Sequence, residues 1–235
     1  MSTRPDLPRR LVAEGLGAFC LVAAGTGAVL VDGLTGGALG LGGVAAAFGL
    51  VVAVMVMALG HLSGAHLNPA VTLAFAAARH FPPREVGPYV AAQVAGAIAA
   101  SLSLRGLFGS GAQLGVTAPA FVGDGAALAI EATLTAVLMM VILAVATDTR
   151  AAGQLAAVAI GGTIALEALV MGPVTGASMN PARSLAPALA ASEWGDLWIY
   201  LIGPTAGALA GAALYAFLRG APRATPALIE QEEIA

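Results

Sequence analysis

Two copies of one short phrase, each ending in Asn-Pro-Ala, constrain the fold of this chain more than any other feature. Residues 63–70 read Ser-Gly-Ala-His-Leu-Asn-Pro-Ala, and residues 175–183 read Thr-Gly-Ala-Ser-Met-Asn-Pro-Ala-Arg. Asn is a favourable helix N-cap, because its side-chain oxygen accepts a bond from a free backbone N–H, and Pro fits the first helical position. Each Asn-Pro-Ala therefore predicts the start of a helix.

The apolar segments that follow the two copies are short. They run from Val71 to Ala78 and from Ser184 to Ala190, whereas a helix needs about 20 residues to cross a bilayer. We therefore predict two re-entrant half-helices that open at Asn68 and Asn180.

The composition indicates a membrane protein. Of the 235 residues, 59% are hydrophobic and only 10% are charged, whereas soluble domains have about 25% charged residues. Hydropathy predicts six spanning helices, near residues 11–31, 41–60, 86–108, 126–147, 154–172 and 197–218. The expected fold class is an all-α membrane protein with six transmembrane helices and two re-entrant half-helices.

The two halves of the chain resemble each other. Leu11-Val-Ala-Glu14 is similar to Leu128-Ala-Ile-Glu131, and Asn68 lines up with Asn180. Because each half has three spans, the second copy has the opposite topology, and inverted repeats place the working site near the midplane. We expect a single membrane domain over residues 1–235, with its parts as follows: repeat one at 11–108, repeat two at 126–219, and tails at 1–8 and 221–235.

Arginine predicts the orientation, since the chain has no Lys. Eight arginines fall on one side of the six predicted spans: Arg4, Arg9, Arg10, Arg79, Arg84, Arg150, Arg219 and Arg223. Cytoplasmic loops carry the excess of cations, so both termini are expected in the cytoplasm. Only Arg105 and Arg183 fall opposite. The first apolar run continues to about Val31 and contains Glu14, which favours a spanning helix over a cleaved signal peptide.

Paired Asn-Pro-Ala boxes, the second followed by Arg183, resemble the aquaporin (major intrinsic protein) family over nearly the whole chain. Residues 61–72, 147–150 and 172–184 are most similar to its nodulin-like branch and to bacterial members of that branch. The resemblance implies a passive channel, a homotetramer with one pore per subunit, and a location in the bacterial inner membrane.

The half-helix termini suggest how such a pore works. If the half-helices enter from opposite faces, their N-termini meet at the bilayer centre, each carrying roughly half a positive charge. Asn68 and Asn180 then offer amide N–H donors, so a passing water presents its oxygen and relays no proton, while the positive termini repel cations. In the alternative, both Asn side chains only cap their helices.

The loops before the boxes are non-helical at membrane depth. Such backbone is tolerated where it lines a water-filled cavity or is buried in protein. The candidate carbonyl acceptors along the pore are those of Gly64, Ala65, His66, Leu67, Gly176, Ala177, Ser178 and Met179. A row of acceptors opposite an apolar wall suits small neutral molecules that donate hydrogen bonds.

The resemblance assigns Arg183 to the narrowest filter, together with Phe48, Ala168 and Ala177 by their spacing from the boxes. Strict water channels of the family usually have His at the position of Ala168. Two Ala side chains opposite Phe and Arg imply a wider, more apolar aperture that admits glycerol, urea and neutral metalloid hydroxides such as boric or arsenous acid. Phe48 departs from the Trp that is common in the nodulin-like branch, so the ranking of solutes stays open.

Three carboxylates fall inside predicted spans. Glu14 and Glu131 occupy matching positions, and we expect them to accept backbone N–H bonds from the re-entrant loops; the alternative is proton or ion coupling. Glu167, whose counterpart is Met55, either bonds neighbouring loop backbone or tunes the solute and pH response of the filter. His61, at the end of the second span, is a second candidate for pH tuning or a packing residue.

The remaining expectations concern other classes of function. The sequence has no metal-ligand cluster and no nucleophile–base pair, so we predict no enzyme, cofactor or metal, and no nucleic-acid partner. Two rivals remain: a strict water channel, and a proton-coupled transporter that uses Glu131 or Glu167. The expected partners are the lipid bilayer, water and small neutral solutes.

Overall fold

The computed structural model describes residues 5–109, 114–148 and 155–220. Within these ranges the chain is helical, with no strand. The helices are α1 (Leu7–Leu34), α2 (Gly40–Ser63), α3 (Pro69–Ala77), α4 (Pro83–Phe108), α5 (Asp124–Thr147), α6 (Ala156–Thr175), α7 (Pro181–Ala191) and α8 (Leu197–Arg219). Arg4, Arg150, Arg223, the segment 147–150 beyond Asp148 and the tail 221–235 lie wholly or partly outside the described residues.

Six of these helices are long and apolar enough to cross a membrane. The other two, α3 and α7, have 9 and 11 residues, which at about 1.5 Å per residue falls short of a hydrocarbon core about 30 Å thick. The predicted fold class is confirmed.

Helix ends differ from the predicted ones by up to four residues, and proline lies at or near three of the ends that differ. Helix α1 begins at Leu7 rather than at residue 11, because Pro8 fits its first turn. Pro83 opens α4 in the same way. Helix α6 passes through Pro173 to Thr175, beyond the predicted end at 172. Gly176 then ends it with a φ of 85°, a left-handed conformation that glycine adopts at no steric cost.

The two repeats interlock. Helix α3 of repeat one packs mainly on α8 of repeat two, and α7 of repeat two packs mainly on α4 of repeat one. Helices α2 and α6 cross at Gly49 and Gly161, where a Cβ on either glycine would overlap the carbonyl oxygen of the other. This reciprocal contact relates the two halves by an approximate two-fold axis and brings their half-helices together.

Candidate functional site: a central cavity between two half-helices

Asn68 and Asn180 begin the two half-helices. The Asn68 Oδ1 atom accepts a bond of 2.9 Å from the backbone N–H of Ala70. The Asn180 Oδ1 atom accepts bonds of 3.0 and 3.3 Å from the N–H groups of Ala182 and Arg183. Both side chains therefore cap their helices, which satisfies backbone donors that have no partner within the helix.

The same two side chains also join the repeats. Asn68 Nδ2 donates to the carbonyl of Met179 at 2.8 Å, and Asn180 Nδ2 donates to the carbonyl of Leu67 at 2.9 Å. The N-termini of α3 and α7 therefore meet, and capping is not the only role of these side chains. Each amide has two N–H groups, so one remains for a passing molecule.

Because of these bonds, two of the predicted carbonyl acceptors along the pore already accept a hydrogen bond within the protein. The carbonyls of Leu67 and Met179 each accept an Asn amide, although a carbonyl oxygen has a second lone pair. Alternate residues have positive φ in both loops: Ala65 (45°) and Leu67 (52°), then Ala177 (40°) and Met179 (54°). Such conformations cost roughly 1–3 kcal/mol for each non-glycine residue, so other contacts must hold them.

Glu14 supplies those contacts for the first loop. Its Oε1 accepts the Ser63 hydroxyl at 2.7 Å and the His66 N–H at 3.0 Å. Its Oε2 accepts the Leu67 N–H and the Gln93 amide, both at 2.8 Å. The carboxylate is fully buried and receives four donors, the environment in which a buried negative charge is tolerated.

Glu131 holds the second loop in the same manner. Its Oε1 accepts the Thr175 hydroxyl at 2.8 Å and the Ser178 N–H at 3.0 Å, and its Oε2 accepts the Met179 N–H at 2.9 Å. Both intramembrane carboxylates therefore bond directly to the backbone of the re-entrant loops.

A cavity of about 110 Å³ runs past both half-helix termini. Residues 64–68 and 177–180, which lead into the two half-helices, line it. Apolar side chains also line it, those of Leu21, Val52, Val56, Val71, Leu138, Ile142, Ile160 and Ile164. Of the eight residues whose carbonyls were predicted to line the pore, Gly176 alone does not border this cavity.

Three of the four predicted filter residues border the cavity, namely Phe48, Ala177 and Arg183. Ala168 is buried on α6 but does not border it. The guanidinium carbon of Arg183 lies 5.1 Å from the centre of the Phe48 ring, a distance at which a cation and an aromatic face attract each other.

The segment between α4 and α5 completes the surroundings of Arg183. Arg183 Nη1 donates to the carbonyl of Gly115 at 2.7 Å, and the Thr117 hydroxyl donates to Ser184 at 2.8 Å. Residues 109–125 lie between the two predicted repeats, and the sequence assigned no site residue to them. No local signal indicated this role, since the carbonyl of Gly115 has no side chain to mark it.

The two predicted histidines differ in position. His66 borders the cavity, stacks on Phe75 with ring centres 4.6 Å apart, and places Nδ1 3.1 Å from the Thr72 hydroxyl. His61 is exposed at the end of α2 and does not border the cavity.

Glu167 is buried on α6, with 7% of its surface exposed. Neither carboxylate oxygen has a hydrogen-bond partner among the described residues. Of the two alternatives for Glu167, the one in which it bonds neighbouring loop backbone is therefore contradicted. Two N–H groups of the second loop donate to Glu131 instead.

Six spanning helices around a cavity, with two half-helices meeting inside it, define a membrane channel built from an inverted repeat. The family model for "Major intrinsic protein" matches residues 1–215. The chain is 53% identical over 212 residues to aquaporin NIP1-4 of Oryza sativa subsp. japonica, covering 89% of this chain and 76% of the relative. It is 47% identical over 214 residues to aquaporin NIP6-1 of Arabidopsis thaliana, covering 91% and 70%.

The fold comparison agrees. The X-ray structure of the aquaglyceroporin from Plasmodium falciparum matches with a TM-score of 0.78 and 25% identity, covering 89% of this chain and 96% of that one. The chain belongs to the major intrinsic protein family. It is a channel for water and small neutral solutes rather than an enzyme, as its sequence predicted.

Proposed function

We propose that the channel conducts water, glycerol, urea and neutral metalloid hydroxides passively, and excludes protons and ions. The observation that carries this proposal is the meeting of two capped half-helix N-termini beside a cavity lined by the re-entrant loops and by apolar side chains. The match to the aquaglyceroporin structure supports a solute range wider than water.

Exclusion of ions follows from the half-helix termini. Each N-terminus carries roughly half a positive charge, and Asn68 and Asn180 each keep one amide N–H for the oxygen of a passing molecule. A water that accepts both bonds points its hydrogens outward along the file, so the water chain is interrupted for proton transfer. Arg183 adds a full positive charge at the filter.

The breadth of solutes follows from small side chains. We assign Phe48, Ala168, Ala177 and Arg183 to the filter, where the two Ala side chains leave room for a carbon backbone and Phe48 supplies an apolar face. Ala168 acts by its small volume behind the cavity wall. The carbonyls of residues 64–67 and 177–179 then accept hydrogen bonds from hydroxyl and amide groups.

The solute range is tested by stopped-flow light scattering on proteoliposomes with water, glycerol, urea and boric acid. Substituting His for Ala168 is expected to reduce glycerol permeability about tenfold, because added bulk in a fitted site discriminates by that order. Ala168→Gly is the control and is expected to conduct glycerol as the native protein does. Glycerol flux unchanged in Ala168→His would contradict this filter assignment.

One observation favours the second candidate, a proton-coupled transporter. Glu167 is a buried carboxyl that has no hydrogen-bond partner among the described residues. Coupled transport predicts uphill uptake that stops when an uncoupler collapses the proton gradient. Channel flux needs no gradient of ions and continues unchanged. We favour a role for Glu167 in tuning the solute and pH response of the filter. We assign no such role to His61, which does not border the cavity.

We also propose a homotetramer in the bacterial inner membrane with cytoplasmic termini. The family resemblance supports the tetramer, and the arginines on one side of the spans support the orientation. Native mass spectrometry from detergent measures the number of subunits. An N-terminal tag accessible to protease in intact cells would contradict the orientation.

A further inference from the structure

The ring of Phe48 fills a space that Gly25 leaves open on α1. A Cβ added to Gly25 would overlap Cδ1 and Cε1 of Phe48 and lie 2.7 Å from its Cζ. These atoms belong to the end of a side chain that can rotate, not to backbone. The ring therefore rests directly against the α1 backbone.

Phe48 borders the cavity together with Arg183, whose guanidinium carbon lies 5.1 Å from the ring centre. Leu21, one turn before Gly25 on the same face of α1, also borders the cavity. Helix α1 therefore contributes a side chain to the cavity lining at Leu21. At Gly25 it has no side chain, and the Phe48 ring occupies the space where one would lie.

Helix α1 cannot easily yield at this level. Thr26 lies against Gly115, where an added Cβ would be 2.9 Å from the Thr26 Cβ, and Gly115 accepts the bond from Arg183. A push from residue 25 therefore moves the Phe48 ring rather than the helix, and the ring moves toward the cavity.

We propose that Gly25 sets the aperture of the channel by holding the Phe48 ring back from the pore. Gly25 is a positioning residue: it acts through Phe48 and touches no solute. This inference rests on the proposed function, because it requires Phe48 to border the path of glycerol.

The test compares Gly25→Ala with Gly27→Ala in proteoliposomes, with water and glycerol permeability measured on the same preparations. Gly27 is the matched control: it lies on the same helix, and its added Cβ would meet only Leu104 at 3.6 Å, an ordinary contact. Both variants gain the same helix propensity. We expect the ratio of glycerol to water permeability to fall about tenfold in Gly25→Ala and to stay unchanged in Gly27→Ala.

A double variant separates the aperture from general packing. Phe48→Leu in the Gly25→Ala background removes the far ring atoms and is expected to restore glycerol permeability to that of Phe48→Leu alone. A native permeability ratio in Gly25→Ala, or a double variant that stays impaired or fails to assemble, would overturn the inference. Native protein that passes no glycerol would instead refute the proposed function, so the two failures are distinguishable.

Discussion

The two re-entrant loops are held by equivalent glutamates, yet the two supports differ by one hydrogen bond. Among the residues that the structure describes, Glu14 receives four donors, the fourth from Gln93, whereas Glu131 receives three. Pro204 occupies the position of Gln93 in repeat two and has no side-chain donor.

Neighbouring contacts establish that these positions are equivalent. Tyr89 and Tyr200, four residues before Gln93 and Pro204, donate their hydroxyls to the carbonyls of Ser63 and Thr175 at 2.9 and 2.7 Å. Each of these carbonyls belongs to the last residue of the helix that leads into a loop.

Both loops make the same three hydrogen bonds to their glutamate, and the first loop's glutamate has one more. Both use a carboxylate that accepts one hydroxyl and two backbone N–H groups. Repeat one adds the Gln93 amide, which also donates to Thr72 on α3 at 2.9 Å and so joins the glutamate to its half-helix. The minimal support is therefore three bonds, and the fourth is specific to repeat one.

The largest expected effect comes from replacing each glutamate by glutamine. In Glu14→Gln the new amide nitrogen faces two donors, whichever way it turns, whereas in Glu131→Gln it can face the Met179 N–H alone. Each buried group left unpaired costs about 1–3 kcal/mol, so Glu14→Gln is expected to lose roughly twice as much stability. Thermal unfolding in detergent, followed by circular dichroism, measures the difference.

The exposed Glu193→Gln is the control for the loss of one charge and is expected to unfold as the native protein does. Equal losses in Glu14→Gln and Glu131→Gln would mean that the fourth bond adds nothing to the first support.

A smaller effect is expected from the fourth donor itself. Gln93→Leu substitutes an apolar side chain of similar size and removes the bonds to Glu14 and Thr72, at a cost of about 1–3 kcal/mol. Pro204→Ala removes no hydrogen bond and is expected to leave stability unchanged or slightly higher. The same unfolding experiment measures both variants. A Pro204→Ala variant as unstable as Gln93→Leu would mean that the lost Gln93 bonds do not explain the lower stability.

The smallest effect concerns the position at which repeat one has Met55 and repeat two has Glu167. Glu167 is a buried carboxyl with no hydrogen-bond partner among the described residues, so gain or loss of a proton there changes the charge on α6 next to Ala168. We expect glycerol uptake by the native protein to change about twofold between pH 5 and 8, a coupling of the size typical of indirect effects.

Glu167→Gln is expected to assemble normally and to take up glycerol equally at both pH values. The Met55→Gln variant is the matched control in repeat one and should retain the native pH response. A native protein with the same uptake at pH 5 and 8 would remove Glu167 from any role in tuning.

Most of the fold was predictable because membrane helices leave a strong signal in length and hydropathy. The half-helices were predictable because Asn-Pro-Ala marks a helix start and the following run is too short to span. Helix ends were less predictable. Pro8 fits the first turn of α1 and so allows an earlier start, whereas α6 continues through Pro173, where tertiary packing outweighs the local preference of proline.

The candidate site shows the same difference between features set by local sequence and features set by tertiary packing. Of the residues predicted by their spacing from Asn68 and Asn180, Phe48, Ala177 and Arg183 border the cavity and Ala168 does not. The contact of Gly115 with Arg183 and the bond of Gln93 to Glu14 were not predicted, because both depend on how distant segments fold together. The absence of donors around Glu167 within the described chain likewise depends on its neighbours rather than on its own sequence.

The reciprocal bonds of Asn68 and Asn180 have a consequence for gating. Each amide holds the opposite loop by its carbonyl, so a stimulus that displaces one loop drags the other with it or breaks both bonds. The two loops at the centre of the pore are therefore expected to move as one unit. Regulated opening and closing is then expected at the two ends of the pore, where segments can move without breaking these bonds.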